Sequence, residues 1–282
     1  MNFLLKIYIN IIKLRMSEFK NFIKNLISST RLDSKYINVL TDESSIQLYK
    51  KAFTHFSYNS VDNYEVFEQL GDITLNKFLV WYFHKRFPIL NNTFGIKIVA
   101  RLRIKYGSKQ FLSELADKYD FWNNIFITEV ISNGKRMNVL EDVFESFIGV
   151  TEYIIDSRIY HGLGYICCYN ILKNIFDKIY IDISYESLFD SKTRLKELFD
   201  CYKEKIGVLH FEYSKESELN SYVVKIYKII KNDKILLCEE KSTISKSDAE
   251  QKASEKSLII LNNEGFSKNI PDEYKNILLK IV

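Results

Sequence analysis

Apolar side chains recur every three or four positions through the first two thirds of the chain. This spacing predicts an amphipathic helix between residues 17 and 45 and a helical body from about Ser45 to Asp156. Loops are predicted at Asn59–Asn63 and Ile89–Asn92. Another helical pattern follows, and the segment IYIDISYESLFDS that ends at Ser191 is predicted to be a connector.

The pattern changes near the end of this connector. SKTRLKELFDCYKEK predicts a helix, and HFEYSKE and SYVVKIYKII alternate apolar and polar residues as half-buried strands do. KILLCEEKS predicts a third strand, and Ser245 is a suitable N-cap for a last helix that runs to Leu261. The sequence thus predicts a mostly α body followed by a small α+β unit with the order α-β-β-β-α.

Composition agrees with a mostly α protein that has a substantial core. Two prolines and nine glycines in 282 residues leave few helix breakers, and 46% of the residues are apolar. A formal charge of +4 does not by itself indicate a polyanionic partner. The four cysteines form no Cys-x-x-Cys pair, so we expect reduced thiols rather than a zinc site.

The N-terminus is apolar but is interrupted by Lys6 and Lys13, and it is too short to span a membrane. No other segment has the pattern of a membrane span. We therefore expect a soluble cytoplasmic protein without a membrane partner, with organelle targeting by the acid-poor N-terminus as the alternative.

The stretch YEVFEQLGDITL places three carboxylates inside an apolar run. On a helix, Glu65, Glu68 and Asp72 occupy positions i, i+3 and i+7 of one face, and most of the rest is expected to be buried. Two carboxylates about 4 Å apart repel by about 1 kcal/mol in water and about 4 kcal/mol at an effective dielectric of 20. The trio is therefore either a solvated polar edge or a site for a hard cation such as Mg²⁺.

A second acidic group favours the cation. VLEDVFESFIGV carries Glu141, Asp142 and Glu145, and the last two lie at i and i+3 on one helix face. Gly71 and Gly149 stand beside the two acidic groups, and glycine leaves room for a close neighbour. Two such helices facing each other across a metal form an arrangement for metal-assisted phosphodiester hydrolysis.

These motifs resemble the ribonuclease III family. YEVFEQLGDITL is similar to its signature, Glu-x-x-(apolar)-Glu-(aromatic)-Leu-Gly-Asp-x-x-Leu, and EDVFESFIG is similar to its second acidic motif. AFTHFSYNS and HKRFP match segments before and after the signature. KTRLKEL and SKSDAEQKASEKSLIIL resemble the first and last helices of a double-stranded-RNA-binding domain. The motifs follow the family's order over about residues 45–263.

The resemblance implies a domain organisation. It predicts a helical extension at residues 1–44, an all-helical ribonuclease III catalytic domain at 45–182 and a linker at 183–189. A double-stranded-RNA-binding domain at 190–264 and a C-terminal tail at 265–282 complete the chain.

The resemblance also implies a mechanism. The catalytic metal ligands would be Glu68, Asp72, Asp142 and Glu145, with Glu65 as an accessory acid. Mg²⁺, or Mn²⁺ in its place, would activate a water that attacks the phosphate of double-stranded RNA. The products would carry 5′-phosphate and 3′-hydroxyl ends with short 3′ overhangs, and two strands would be cut by a homodimer paired through the signature helix. The expected RNA-binding residues are Thr193, Arg194, Glu197, Ser245, Lys246 and Lys252.

Three positions depart from the family pattern. Gln69 replaces the aromatic residue expected to pack across the dimer interface, and Phe94 stands where a glutamate is usual. The last helix opens with a single lysine, Lys246, instead of a basic cluster, and KSTI replaces the usual glycines before it. We therefore expect weaker RNA affinity with a shallower salt dependence.

Two other functions remain open at the level of the sequence. One is a non-catalytic relative that serves as a structural component of a ribosome or an RNA-editing assembly. The other is a protein that sequesters double-stranded RNA and so suppresses silencing. Retention of all four metal-site carboxylates argues against the first, and the weakly basic last helix argues against the second.

Overall fold

The computed structural model describes residues 3–30, 32–128, 133–216 and 221–281. Two compact units are present, Met1–Ile181 and Asp182–Val282. The first consists of helices joined by turns, and the second combines helices with a three-stranded sheet. The predicted mostly α fold with a small sheet near the C-terminus is therefore confirmed, whereas the named domain boundaries stay a prediction.

In the described part of the first unit, the segments between helices include the 3₁₀ turns Pro88–Leu90 and Trp122–Asn124. The helices are α1 (Phe3–Ser28), α2 (Ser34–Leu40), α3 (Glu43–Ala52), α4 (Glu65–Arg86), α5 (Thr93–Tyr106), α6 (Lys109–Lys118), α7 (Asn133–Arg158) and α8 (Leu163–Phe176).

Side-chain caps determine where several of these helices begin. The Asn92 side chain accepts hydrogen bonds from the first amides of α5, and the Ser108 hydroxyl accepts one from the amide of Phe111 in α6. Just before α4, the side-chain oxygen of Asn63 accepts the amide of Glu65 at 3.0 Å. Such caps satisfy amides that have no partner within the helix. The starts of α5 and α6 are thus set locally, and the bond from Asn63 fixes the chain just before α4.

Aromatic side chains fill the core of the first unit. Phe53, Phe121 and Phe147 are buried, and the ring of Phe121 lies 5.0 Å from that of Phe53 and 5.6 Å from that of Phe147. Helix α1 adds Phe19, whose ring meets Phe53 edge-on at 5.4 Å. Burial of one such side chain contributes roughly 1.5–3 kcal/mol. The amphipathic face predicted near the N-terminus therefore packs on the helical body.

The second unit has the element order α-α-β-β-β-α-α. Its elements are α9 (Tyr185–Leu188), α10 (Ser191–Ile206), β1 (Val208–Glu216), β2 (Ser221–Ile230), β3 (Asp233–Ser242), α11 (Lys246–Asn263) and α12 (Asp272–Ile281). The strands form an antiparallel sheet in the order β1-β2-β3. Leu198 of α10, Val224 and Ile226 of β2 and Ala253 of α11 are buried together in one core. The predicted order of helix, three strands and helix is confirmed.

Three features of the local structure were not anticipated from the sequence. The connector contains the short helix α9, and its Tyr185 is buried. The C-terminal tail contains α12, whose Tyr274 is 1% exposed and donates a hydrogen bond to the carbonyl of Ile183 at 2.5 Å. Ile73 lies on α4, a helix expected to be mostly buried outside its acidic face, yet it is 60% exposed. In each case tertiary packing, which has no local sequence signal, decides the burial.

No helix in the described part of the chain is both long enough and apolar enough to cross a membrane.

Candidate metal and nuclease site

Helices α4 and α7 cross with their backbones in contact. A Cβ atom on Gly71 would lie 1.7 Å from the carbonyl oxygen of Glu145, and one on Gly149 would lie 2.0 Å from the carbonyl oxygen of Phe67. No side chain larger than hydrogen fits at either position without moving a helix. The predicted use of Gly71 for a close neighbour is confirmed, and the crossing brings the two acidic groups side by side.

The acidic side chains at this crossing differ in exposure. Glu65 and Asp72 are exposed on α4, whereas Glu68 is half-buried. On α7, Asp142 is half-buried and Glu145 is only 8% exposed. The site therefore runs from a solvated edge on α4 to a buried carboxylate on α7.

These carboxylates raise one another's pKa across the two helices. Burial, followed by the charges of Asp72, Glu141 and Glu68, raises the pKa of Glu145 to about 8. Burial and then the charge of Asp142 raise the pKa of Glu68 to about 7. Both effects disfavour the ionised form. The crossing thus gathers negative charge that lacks a sufficient counter-charge from the protein.

Asp142 has a more balanced environment. Burial and the charge of Glu141 raise the pKa of Asp142. A hydrogen bond from the Tyr64 hydroxyl and the charge of Lys109 lower it, so that the pKa is about 6. Tyr64 is itself anchored, because its main-chain oxygen accepts a hydrogen bond from the Ser146 hydroxyl at 2.9 Å. Tyr64 thus links the start of α4 to the acidic face of α7. It is a site residue that the sequence analysis did not identify.

Asp72 is also held by a neighbour that the sequence analysis missed. The Asn76 amide donates to the Asp72 carboxylate at 2.7 Å, and Arg103 of α5 donates to the Asn76 side-chain oxygen at 2.8 Å. Asn76 lies four residues after Asp72, so the helical repeat would have suggested it. Arg103 thus supports the position of Asn76 from the neighbouring helix.

A cross-helix ion pair borders the same crossing. The Lys109 ammonium of α6 lies 2.8 Å from the Glu141 carboxylate of α7. Glu141 immediately precedes Asp142, and its place in the acidic motif was visible in the sequence. Nothing in the sequence pattern pointed to Lys109, which lies 32 positions before Glu141 in the chain.

The acidic side chains at the crossing offer oxygen atoms, which suit a hard cation. In the structure, however, these side chains are not arranged around a common point as metal ligands are. Among residues 3–30, 32–128, 133–216 and 221–281, no three His, Cys, Asp or Glu side chains are arranged to hold a metal ion. Ionised carboxylates repel one another, and a divalent ion offsets that repulsion. The oxygen-only donors and the raised pKa values of Glu68 and Glu145 match what such an ion would relieve. The assignment of Glu68, Asp72, Asp142 and Glu145 as metal ligands stays a prediction.

The two departures in this unit have clear places in the structure. Gln69 is exposed on α4, on a surface that also carries Val66, Ile73 and Val80. Phe94 is half-buried in the first turn of α5. The predicted effects of these two residues on dimer packing and on metal binding remain untested predictions.

The predicted RNA-binding residues of α10 make contacts within the second unit. Glu197 lies 2.7 Å from the Lys268 ammonium and accepts a hydrogen bond from the Tyr185 hydroxyl at 3.0 Å. The amide and hydroxyl of Thr193 both donate to the N-cap Asp190. Arg194 donates to the Ser191 hydroxyl at 3.2 Å. An RNA contact by Glu197 would therefore compete with Lys268.

The predicted RNA-binding residues of α11 are likewise engaged. Ser245 is the N-cap and accepts the amide of Asp248, which confirms its predicted structural role. Lys252 pairs with Asp248 at 2.7 Å, and the Lys246 ammonium lies 3.6 Å from the centre of the Tyr213 ring. Asp248 offsets the charge of Lys252, and the Tyr213 ring holds the Lys246 ammonium within the unit. The expected weak RNA affinity stays a prediction.

Comparison with known proteins agrees with the motifs. The family profile described as Ribonuclease III domain matches residues 65–153, a range that includes both acidic groups. A protein of Invertebrate iridescent virus 6 named "Putative ribonuclease 3" is 38% identical over 275 residues, which cover 93% of each chain. A protein of Frog virus 3 with the same name is 42% identical over 195 residues, 67% of this chain and 50% of that protein. Ribonuclease 3 of Lactobacillus acidophilus is 29% identical over 80% of this chain and 98% of its own length.

Among solved structures, the nuclease domain of ribonuclease III from Campylobacter jejuni aligns with a TM-score of 0.40 and 20% identity, covering 53% of this chain and 99% of that one. Dicer from Pichia stipitis aligns with a TM-score of 0.35 and 21% identity, covering 76% of this chain and 92% of that one. These scores are too low to add to the argument, which rests on the sequence matches. The 38% identity over nearly the full length of both proteins, together with the profile match, shows that this chain belongs to the ribonuclease III family.

Proposed function

We propose that this protein is a Mg²⁺-dependent endoribonuclease that cuts double-stranded RNA. The observation that carries the proposal is the backbone contact at Gly71 and Gly149, which sets the acidic groups of α4 and α7 beside each other. In the proposed domain organisation, residues 45–182 form the catalytic domain. The products would have 5′-phosphate and 3′-hydroxyl ends with short 3′ overhangs.

In this proposal Glu68, Asp72, Asp142 and Glu145 hold the metal ion, and Glu65 is an accessory acid on the exposed edge. Bound Mg²⁺, or Mn²⁺ in its place, supplies positive charge that lowers the pKa of a coordinated water and stabilises charge on the phosphate. The protein's own task is to present ionised oxygens in a fixed arrangement.

Neighbouring residues of this chain support that arrangement. Tyr64 donates to Asp142, and Asn76 donates to Asp72 while accepting a hydrogen bond from Arg103. These bonds restrict the rotamers of two exposed or half-exposed carboxylates, and fixed donors lose less entropy when a cation binds. The bond from Tyr64 also favours the ionised form of Asp142, which is the form that binds a metal.

We infer that two copies pair through α4. Val66, Ile73 and Val80 follow one another at seven-residue intervals and are 51%, 60% and 36% exposed, and Trp81 beside them is 52% exposed. An apolar stripe of this kind on a helix surface suits a partner helix. Gln69 lies on this surface and would reduce its apolar character. A homodimer would place two sites on one RNA duplex, one for each strand.

For the second unit we propose a double-stranded-RNA-binding domain at residues 190–264. Its support is the order α10, β1, β2, β3, α11 with both helices packed on one face of the sheet. Because Lys246 and Lys252 are engaged within the unit, we propose that it binds RNA weakly and adds to an affinity that the helical unit supplies. The same observation disfavours a protein whose function is only to sequester RNA.

The proposal is tested by cleavage of a long RNA duplex. Wild type should cut in Mg²⁺ and stop cutting in excess EDTA, and Glu145→Gln should fail to cut because it removes one anionic ligand from the most buried position of the site. Glu152→Gln is the matched control: Glu152 is a half-buried glutamate on the same helix as Glu145, and it accepts a hydrogen bond from the Thr74 hydroxyl. The proposal fails if Glu145→Gln cuts as well as Glu152→Gln, or if wild type cuts in EDTA.

A further inference from the structure

Lys109 and Glu141 form an unequal ion pair at the edge of the acidic crossing. Their charged atoms are 2.8 Å apart, yet the Lys109 side chain is 48% exposed and the Glu141 side chain only 15%. The acid is thus held against the protein while the ammonium faces water. A cation in this position is available to an anion arriving from solvent.

The ion pair is electrostatically coupled to the proposed metal ligands. The charge of Lys109 acts on Asp142 and Glu145 as well as on Glu141, and Glu141 in turn acts on Glu68. An RNA phosphate that approaches the crossing meets this concentration of negative charge. A lysine beside it reduces the repulsion that the phosphate would feel.

Helix stability does not account for the position of Lys109. It is the first residue of α6, directly after the N-cap Ser108. The N-terminus of a helix carries partial positive charge, so a lysine there is unfavourable and an acid would be preferred. A half-exposed ion pair contributes little to folding stability. The same partial positive charge, however, adds to the attraction of Lys109 for an anion.

We propose that Lys109 is a substrate-binding residue that contacts a backbone phosphate next to the phosphate that is cut. In the absence of RNA, Glu141 holds the ammonium at the edge of the site. When RNA binds, Lys109 exchanges Glu141 for a phosphate oxygen, and its flexible stem allows the exchange. This inference rests on the proposed function and adds to it a residue outside both acidic motifs.

The test compares Lys109→Gln with a control pair that joins the same two helices. Arg136 of α7 lies 2.5 Å from Asp117 of α6, at the far end of α6 from Lys109. Arg136→Gln therefore also removes one cation of a cross-helix pair. Steady-state cleavage of a short RNA duplex is measured for each variant over a range of KCl concentrations at saturating Mg²⁺. Thermal unfolding of each variant confirms that it is folded.

For Lys109→Gln we expect KM to rise about tenfold with a smaller change in kcat, as for loss of one charged hydrogen bond. The slope of log KM against log salt should become shallower by about one, because one phosphate contact is lost. Lys109→Arg should restore most of the affinity and the slope. Arg136→Gln should have the same KM and the same salt slope as wild type.

The inference is overturned if the slope of log KM against log salt is the same for Lys109→Gln as for wild type. A variant whose Mg²⁺ requirement changes while this slope does not would also overturn it. It is also overturned if Arg136→Gln alters the slope equally, because the effect would then belong to net charge. Failure of the proposed function looks different: Glu145→Gln would cut like wild type, whereas failure of this inference leaves Glu145→Gln inactive.

Discussion

Replacement of Gly71 by alanine tests the geometry on which the site depends. The added Cβ would lie 1.7 Å from the carbonyl oxygen of Glu145 and 2.5 Å from its carbonyl carbon. Carbon and carbonyl oxygen normally approach no closer than about 3.3 Å. The two helices would therefore have to separate by about 1.5 Å, since both obstructing atoms belong to the backbone.

That separation has two measurable consequences. Overpacking of a core typically destabilises a protein by about 1–3 kcal/mol and sometimes by more. The better helix propensity of alanine relative to glycine offsets only about 1 kcal/mol of this. We expect Gly71→Ala to lower the free energy of unfolding of the helical unit by about 1–2 kcal/mol. A misplacement of about 1 Å can reduce a catalysed rate about 100-fold, so cleavage should fall at least that much, because Glu145 moves away from Asp72.

The assay is urea unfolding followed by far-UV circular dichroism, together with duplex cleavage in Mg²⁺. Asn138→Ala serves as the control, because Asn138 is exposed on the same helix as Glu145 and alanine there gains helix propensity without a clash. If Gly71→Ala proves as stable as Asn138→Ala and cuts RNA normally, α4 and α7 do not meet through their backbones and the site geometry is wrong.

Three further outcomes follow from the charges and surfaces. The pKa of Glu145 is about 8 in the folded protein and ordinarily 4.5, so between these pH values the metal-free folded state binds one proton more than the unfolded state. Thermal stability without Mg²⁺ should therefore fall as the pH rises from 4.5 to 8, and Glu145→Gln should make this pH dependence weaker. Ser247→Lys adds a cation to the first turn of α11, so binding of an RNA duplex should tighten and its log–log salt slope should steepen by about one; an unchanged slope would argue against RNA contact by α11. Ile73→Glu puts a charge into the proposed dimer stripe, so light scattering after size exclusion should show a monomer where wild type shows a dimer; a dimeric Ile73→Glu protein would place the interface elsewhere.

The helices and the acidic crossing were largely predictable because their signals are local. Apolar spacing identified the helical body, alternation identified the strands, and Ser245 identified the start of α11. The spacing of Asp142 and Glu145, with Gly149 one turn later, indicated an acidic helix face that lies close to another helix. The structure has this close approach at Gly149. Each of these features depends on residues within one or two turns of each other.

The remaining features depend on contacts between distant segments. Lys109 meets Glu141, and Tyr274 is buried against the segment that contains Tyr185, yet neither contact leaves a periodic pattern in the sequence. The exposure of Ile73 likewise depends on which helices cover α4. Apolar spacing shows that a helix has a face to bury but does not show which face stays open for a second molecule.

The central claim is that Glu68, Asp72, Asp142 and Glu145 together hold a divalent cation. Anomalous scattering from crystals grown with Mn²⁺ tests it most directly, because the anomalous signal distinguishes the metal ion from water and from protein atoms. The account predicts a peak between α4 and α7 with oxygens of these residues about 2 Å away, as is usual for a small hard cation. No peak at the crossing under saturating Mn²⁺, or a peak held by other side chains, would contradict it.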